Sequence, residues 1–156
     1  MSLLLAAPQM VYSTVGVVTL LSTEVVGKIV SVSLTGLSNI YTYMGSSSEN
    51  VIINKYKNEL EIMDIELKLK LVIQWLDKIN IEEVKSNPSL ELIYNGISNS
   101  CHKISECIEK MNEQIKCHQS RWFHAWRTLY LDNELDLLKR NTTILNERLR
   151  LIQLVK

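Results

Sequence analysis

The chain has 156 residues, of which 46% are apolar, and its 17 basic and 17 acidic side chains cancel. This length suits one globular domain, because a domain of ~150 residues buries roughly 70% of the surface of its unfolded chain. The lack of net charge argues against a nucleic-acid-binding protein, whose surface is normally basic. Three cysteines are too few, and odd in number, for a secreted disulfide framework, which favours reduced thiols in the cytoplasm.

An apolar N-terminal segment is the most unusual feature of the chain. From Met1 to Met44 only Glu24 and Lys28 are charged, so water solvates the segment poorly and other helices, another chain or lipid must cover it. Its β-branched residues suit strands, but the i,i+4 spacing of Glu24 and Lys28 and the lack of a hairpin turn favour a helix over about 9–43. Within one domain over 1–156, we therefore predict an apolar N-terminal helix in 1–45 and a helical bundle over 46–156.

A constitutive transmembrane helix is not the favoured interpretation of this segment. Residues 1–23 are uncharged and long enough to cross a ~30 Å hydrocarbon core. Polar side chains dilute them, however, and a span over Val15 to Leu37 would place Glu24 and Lys28 near its centre at a cost of roughly 2.5–3.5 kcal/mol each. Small residues at Gly27, Ser31 and Thr35 would instead let another helix approach closely.

The second helix is predicted over about 48–81. Gly45 is expected to end the first helix, and Ser46 with Glu49 has the spacing of a capping box. Two apolar stripes run along the second helix and indicate contact with at least two other elements, as in a bundle. One stripe contains Ile53, Tyr56, Leu60, Met63 and Leu67, and the other contains Ile62, Ile65, Leu69, Val72, Leu76 and Ile79.

The third and fourth helices carry heptad-like seams. The third is predicted over 89–118, after the helix-breaking Asn87-Pro88, and the last begins at either 121 or 132 and ends at 155. The third seam contains Leu90, Tyr94, Ile97, Cys101, Ile104, Ile108, Met111, Ile115, His118 and Trp122, and the last contains Leu135, Leu138, Thr142, Leu145, Leu149 and Ile152. We therefore predict an all-α, up-down bundle of four main helices.

No pattern for catalysis or metal binding stands out. Cys101-His102 and Cys117-His118 lie sixteen residues apart on one predicted helix, which separates them by ~24 Å at ~1.5 Å per residue. Cys101 and His118 fall on the apolar seam, which favours core residues over metal ligands. Without a nucleophile–base pairing, a phosphate-binding loop or paired carboxylates, we expect no catalytic residue, no metal, no cofactor and no small-molecule substrate.

An aromatic and basic cluster precedes the last helix. It contains Arg121, Trp122, Phe123, His124, Trp126, Arg127 and Tyr130. The rings could plug one end of the bundle, with arginine stems covering them. Alternatively, Arg121, Trp122, Phe123, Trp126 and Arg127 could form an anchor in the headgroup zone of a bilayer, which favours tryptophan, tyrosine and arginine.

The order of several features resembles that of four-helix-bundle cell-death modules. These features are Glu24 in an apolar first helix, the pattern from Leu67 to Leu76, the sequence Cys101-His102-Lys103-Ile104-Ser105 in a long helix, and a last helix spanning Leu135 to Leu151. Similar modules are the fungal HeLo domains, the N-terminal domain of the mixed-lineage-kinase-like pseudokinase, and related plant resistance and calcium-channel-associated domains. The resemblance implies that the first helix oligomerises and permeabilises a membrane, and that the other helices mask it at rest. The N-terminal segment here is longer and richer in threonine and valine.

Two functional hypotheses follow. In the first, a non-enzymatic module moves from the cytoplasm to membrane lipid, including anionic lipid, and forms a homo-oligomer. Its predicted membrane or oligomer interface contains Val17, Val18, Leu20, Leu21, Glu24, Val25, Lys28 and Ile29, with Glu24 and Lys28 setting the register. In the second, a structural or scaffold protein packs the same segment against partner chains. The asparagine, isoleucine and lysine usage is similar to that of AT-rich viral or protist genomes, and a helical structural protein of a large DNA virus would share these features. Neither hypothesis involves nucleic acid.

Overall fold

The computed structural model describes residues 20–47, 49–122, 124 and 127–155. Within these residues the chain forms helices and no strand. The helices are α1 (Thr23–Ser46), α2 (Val51–Met63), α3 (Ile65–Lys78), α4 (Ile81–Ser86), α5 (Pro88–Ser120) and α6 (Asp132–Val155). The all-α prediction is confirmed, whereas the regular four-helix up-down bundle stays a prediction. The predicted helical residues 9–19 lie outside the described residues.

The boundary between the first two helices differs from the predicted capping box. Gly45 has no positive φ, so α1 continues through it to Ser46, whose hydroxyl donates to the Tyr43 carbonyl at 2.7 Å. The second helix is capped by Asn50 instead, because its Oδ1 accepts from the backbone N–H groups of Ile52 and Ile53. Serine and asparagine can both cap the N-terminus of a helix through a side-chain oxygen. Because α1 continues to Ser46, Asn50 is the residue that caps α2.

The predicted continuous second helix is wrong, because Asp64 breaks it. Asp64 has φ 51° and ψ 45°, a left-handed conformation that aspartate tolerates better than most side chains. The break re-aims the chain, so the stripe ending at Met63 and the stripe beginning at Ile65 both face the core. The residues where the two predicted stripes overlap, Ile62 and Leu67, are exposed. A second break after Lys78 separates the short helix α4.

The two C-terminal helices follow their predicted seams. Helix α5 begins with Pro88 in its first turn and is capped by Asn87, whose Oδ1 accepts from the N–H groups of Ser89 and Leu90. Helix α6 begins at Asp132, which selects the later of the two predicted starts. All seam residues of α5 from Tyr94 to Ile115 are buried, whereas Trp122 is exposed.

Contacts between the helices define their relative directions. Near the end of α5, Gln114 donates to Glu134 at the start of α6, at 2.7 Å, whereas near the start of α5, Ser100 accepts from Arg148 close to the end of α6, also at 2.7 Å. These two helices therefore run in opposite directions. Helix α1 runs in the same direction as α5. Tyr94 near the start of α5 donates to the Leu21 carbonyl just before α1, and Asn112 further along α5 donates to the Gly36 carbonyl further along α1, at 3.0 Å.

The core lies between these helices. Helix α5 contacts α1, α4 and α6, and α6 also contacts α2 and α3. The largest fully buried side chains come from α1, α2, α3 and α5 and from the residue before α6: Ile40, Met44, Tyr56, Leu60, Ile65, Leu69, Tyr94, Ile97, Ile104, Ile108, Met111 and Leu131. Burial of this apolar surface provides the main favourable free energy of folding.

Gly36 allows α1 and α5 to approach closely. A Cβ atom at Gly36 would lie 2.6 Å from Cγ2 of the buried Ile108 and 3.2 Å from Nδ2 of Asn112. Real Cβ atoms do not approach other atoms to 2.6 Å, so a larger residue here would push α5 away. A Cβ atom at Gly27, on the same helix, would meet nothing within 4 Å.

We expect Gly36→Ala to lower the free energy of unfolding and Gly27→Ala to raise it. Overpacking against Ile108 costs ~1–3 kcal/mol and outweighs the gain of up to ~1 kcal/mol that alanine brings to a helix interior. At Gly27 only the gain applies. Urea denaturation of the two variants measures the difference, and equal stabilisation by both substitutions would contradict the close approach at Gly36.

Candidate functional site

The predicted N-terminal interface is divided between the core and the solvent. Leu20, Leu21 and Ile29 are half-buried against the core, whereas Glu24, Val25 and Lys28 are exposed on α1. Val17 and Val18 lie outside the described residues. The interior face of α1 is formed by residues that were not singled out as an interface: Val26, Val30, Ser33, Leu37, Ile40 and Met44.

The start of α1 is fixed to α5. The Ser22 hydroxyl accepts from the Val25 N–H at 3.2 Å and caps the helix, and the Tyr94 hydroxyl donates to the Leu21 carbonyl at 2.7 Å. The Tyr94 ring lies 5.8 Å from the Trp75 ring of α3, and burial raises the pKa of the Tyr94 hydroxyl. The start of α1 is therefore held by Tyr94 of α5, whose ring in turn packs against α3.

The second candidate site is the α5–α6 cap, the exposed group of Arg121, Trp122, Arg127 and Tyr130 between α5 and α6. Trp122 is 83% exposed and Tyr130 is 72% exposed, and both arginines are also exposed. Trp122 therefore does not plug the bundle. The other two predicted anchor residues, Phe123 and Trp126, lie outside the described residues. The connection is held to the bundle by its buried residues Leu129 and Leu131, which contact the Tyr56 hydroxyl at 3.4 and 3.2 Å.

The two candidate sites lie at opposite ends of the bundle. Helix α1 runs in the same direction as α5, so Leu21 lies near the start of α5 and the α5–α6 cap lies at its end. The 24 residues of α1 span ~36 Å at ~1.5 Å per residue. The predicted interface on α1 and the predicted anchor are therefore not brought together in one surface.

A polar cavity of about 500 Å³ lies beside the cap. Its lining comes from the end of α1, the start of α2, the end of α5 and the connection to α6: Tyr43, Ser46, Ser47, Glu49, Asn50, Ile53, His118, Gln119, His124, Arg127 and Leu129. The His118 and His124 rings lie 6.2 Å apart in an edge-on arrangement. The seam pattern predicts a core position for His118, but His118 is half-buried and lines this cavity with His124 and Arg127. A signal was present, because basic side chains recur at every third position at 118, 121, 124 and 127.

Partial burial is the first cause that lowers the pKa of His118. Positive charge at His124 and at Arg121 lowers the pKa further, and a hydrogen bond with the His124 backbone opposes the shift. These effects favour the neutral form of His118, whereas its place in the last turn of α5, beside the helix carbonyl groups, favours the charged form.

The cysteines do not form a metal site with the histidines. Among the described residues, no group of three histidine, cysteine, aspartate or glutamate side chains is placed to hold a metal ion. Cys101 and Cys107 are buried and Cys117 is exposed. Burial raises the pKa of the Cys101 thiol to about 12 and also raises the pKa of the Cys107 thiol.

Cys117 is expected to react with an aromatic disulfide reagent much faster than Cys101 or Cys107. The thiolate is the reactive species, and burial both removes it and blocks access at the two core positions. Spectroscopic titration of native protein should show one fast equivalent, which Cys117→Ser abolishes, and two more after denaturation. Fast reaction of Cys101 or Cys107 in the folded Cys117→Ser variant would contradict the burial of these residues in α5.

Among the helices within residues 20–155, none combines the length and the apolar character that a membrane crossing requires. The fold and the two sites define an all-α helical bundle with a charged, aromatic cap at one end. Comparisons with models of known protein families, with curated proteins and with solved structures find no match for this chain.

Proposed function

We propose that this chain is a non-enzymatic, membrane-engaging helical module. The α5–α6 cap makes the first contact with the membrane, and the uncharged N-terminal segment then inserts or oligomerises there. The observation that carries the proposal is the exposure of Trp122 and Tyr130 beside Arg121 and Arg127. Aromatic rings and guanidinium groups together favour the headgroup zone of a bilayer, where each has one polar and one apolar side to satisfy.

The distance between the two ends of the bundle is compatible with contact to one membrane. The 19 residues of the sequence before Leu20 have a maximum extended reach of ~60 Å, at ~3.3 Å per residue. This reach exceeds the ~36 Å length of α1. At rest, the bond between Tyr94 and the Leu21 carbonyl holds the beginning of α1 in the bundle.

Liposome flotation and dye release test the two steps separately. With vesicles that contain anionic lipid, we expect the intact chain to float with lipid and to release dye. The double variant Trp122→Ser and Tyr130→Ser should lose flotation, because it removes the two rings proposed to contact the headgroups. Both side chains are exposed, so their removal leaves the core intact. Ile62→Ser is the matched control, since Ile62 is 82% exposed on a different part of the surface.

Deletion of residues 1–19 should abolish dye release while flotation is retained. A longer deletion, to Met44, would remove buried residues of α1 and test stability instead of insertion. The absence of flotation with any vesicle, or equal loss of flotation in Ile62→Ser and the double variant, would refute the membrane proposal.

A structural or scaffold role is the second candidate. It is favoured by a groove of about 790 Å³ between α1 and α5, lined by small and polar side chains that include Ser31, Thr35, Gly36 and Asn112. Small residues let another helix backbone approach closely. If the protein packs against partner chains through this groove, Ser31→Leu with Thr35→Leu should abolish assembly measured by light scattering, and liposome flotation should be unaffected.

A further inference from the structure

Four segments of the chain line one cavity near the α5–α6 cap, and three of them contribute cationic side chains or hydroxyl groups. The cavity of about 500 Å³ falls within the range of ~300–1,000 Å³ that is usual for ligand sites. His118 enters from α5, and His124 and Arg127 enter from the connection that follows. The hydroxyl of Tyr43 and that of Ser47 add hydrogen-bond donors from the end of α1.

When both histidines are protonated, the cavity lining carries three positive side chains, His118, His124 and Arg127, against a single carboxylate. Among the described lining residues, Glu49 is the one carboxylate, and none of the ion pairs within the described part of the chain includes Glu49, Arg121 or Arg127. Arg121 lies close enough to act electrostatically on His118. An anion in the cavity would relieve the repulsion among these groups.

The helix dipole explains the position of only one of these cationic side chains. His118 lies in the last turn of α5, where a cation complements the helix dipole. His124 and Arg127 lie beyond the end of that helix, so the dipole gives no reason for their position. A guanidinium group presents its N–H donors in a planar fork that matches two oxygens of a phosphate group, and protonated imidazoles add further donors.

We propose that this cavity binds a phosphate-type anion, with Arg127, His124 and His118 as its cationic contacts. The phosphate group is either free or part of a lipid headgroup. In the second case the inference rests on the proposed function, since the cavity would then choose the lipid to which the α5–α6 cap binds.

Binding should strengthen as the pH falls. The titratable and charged groups around His118 and His124 are Tyr43 from α1, Glu49 from the turn before α2, and Arg121 and Arg127 from the connection. A guanidinium group keeps its charge at all ordinary pH values, whereas an imidazole gains a proton as the pH falls, so added positive charge comes from the histidines. A bound anion favours protonated imidazole, and it opposes the burial and the neighbouring positive charges that lower the pKa of His118.

The first arm of the test uses inorganic pyrophosphate and the full chain in solution, without lipid. Isothermal titration at constant ionic strength should give saturable binding that is tighter at a pH of about 6 than at a pH of about 8. Arg127→Gln should weaken binding about tenfold or more, because it removes a charge-assisted pair of hydrogen bonds. His124→Gln should reduce the pH dependence.

Arg140→Gln provides the matched control. Arg140 is an exposed cation on α6, away from the cavity lining, so its replacement removes the same charge but no proposed contact. Equal weakening by Arg127→Gln and Arg140→Gln would mean general charge attraction and would overturn the site. Circular dichroism establishes that each variant is folded.

The second arm distinguishes the two sources of the phosphate group. Phosphatidylcholine vesicles contain an equal molar fraction of either phosphatidic acid or phosphatidylglycerol, and flotation is measured with and without pyrophosphate. Preference for phosphatidic acid that is removed by pyrophosphate and by Arg127→Gln assigns a lipid headgroup. Saturable binding in solution without that preference assigns a free phosphate compound, whether or not the protein binds membranes. The absence of saturable pyrophosphate binding at the lower pH, together with no lipid preference, would overturn the inference.

Discussion

Replacing Ile104 by alanine is expected to lower the free energy of unfolding by about 2–5 kcal/mol. Ile104 is fully buried at the centre of α5, the helix that contacts α1, α4 and α6. Removing its side chain costs the transfer free energy of the lost methylene and methyl groups, and it leaves a cavity that the surrounding close-packed side chains fill only in part. The loss is large compared with the ~5–15 kcal/mol that stabilise a typical domain.

Urea denaturation and thermal unfolding measure this effect. Each kcal/mol should lower the melting temperature by roughly 2–4 °C in a chain of this size. Leu92→Ala is the control on the same helix, because Leu92 is 75% exposed and its replacement should change stability by no more than ~0.5 kcal/mol. Similar stabilities of the two variants would mean that the α5 seam does not form the core.

Tyr56→Phe should cost about 1–3 kcal/mol, although it removes a single oxygen atom. The Tyr56 hydroxyl is buried, donates to the Leu129 carbonyl at 3.4 Å and accepts from the Leu131 N–H at 3.2 Å. Without it, two backbone groups of the connection remain buried and unpaired. These bonds also hold the α5–α6 cap to α2, so we expect the connection to loosen.

Hydrogen exchange separates the local effect of Tyr56→Phe from the global effect. The Leu131 amide should exchange faster in this variant under conditions where the core of α5 stays protected. Tyr130→Phe is the control, since the Tyr130 ring is exposed and the bonds to Leu129 and Leu131 are made by Tyr56. Unchanged exchange at Leu131 would show that the two hydrogen bonds of the Tyr56 hydroxyl contribute nothing to the position of the cap.

The candidate sites were predictable only in part. The composition of Arg121, Trp122 and Arg127 marked the end of α5, but sequence alone left open whether the rings plug the bundle or face the solvent. The exposure of Trp122 depends on where α5 stops, at Ser120, and on the buried leucines that hold the connection. The cavity has contributions from Tyr43 and Glu49, which are more than 60 residues away in sequence and approach through tertiary packing alone.

The sequence by itself determined the helical class and the course of α5 and α6, because a seam that repeats every three or four residues can bury its apolar side only as a helix. It also determined that Asn87-Pro88 starts α5, since proline restricts the residue before it and fits a first turn. Only the tertiary structure decided the break at Asp64. Two apolar stripes on one straight helix would face different directions, and the left-handed residue lets both face the same core. Burial of both stripes favours the break over a continuous helix, and no local pattern around Asp64 specifies it.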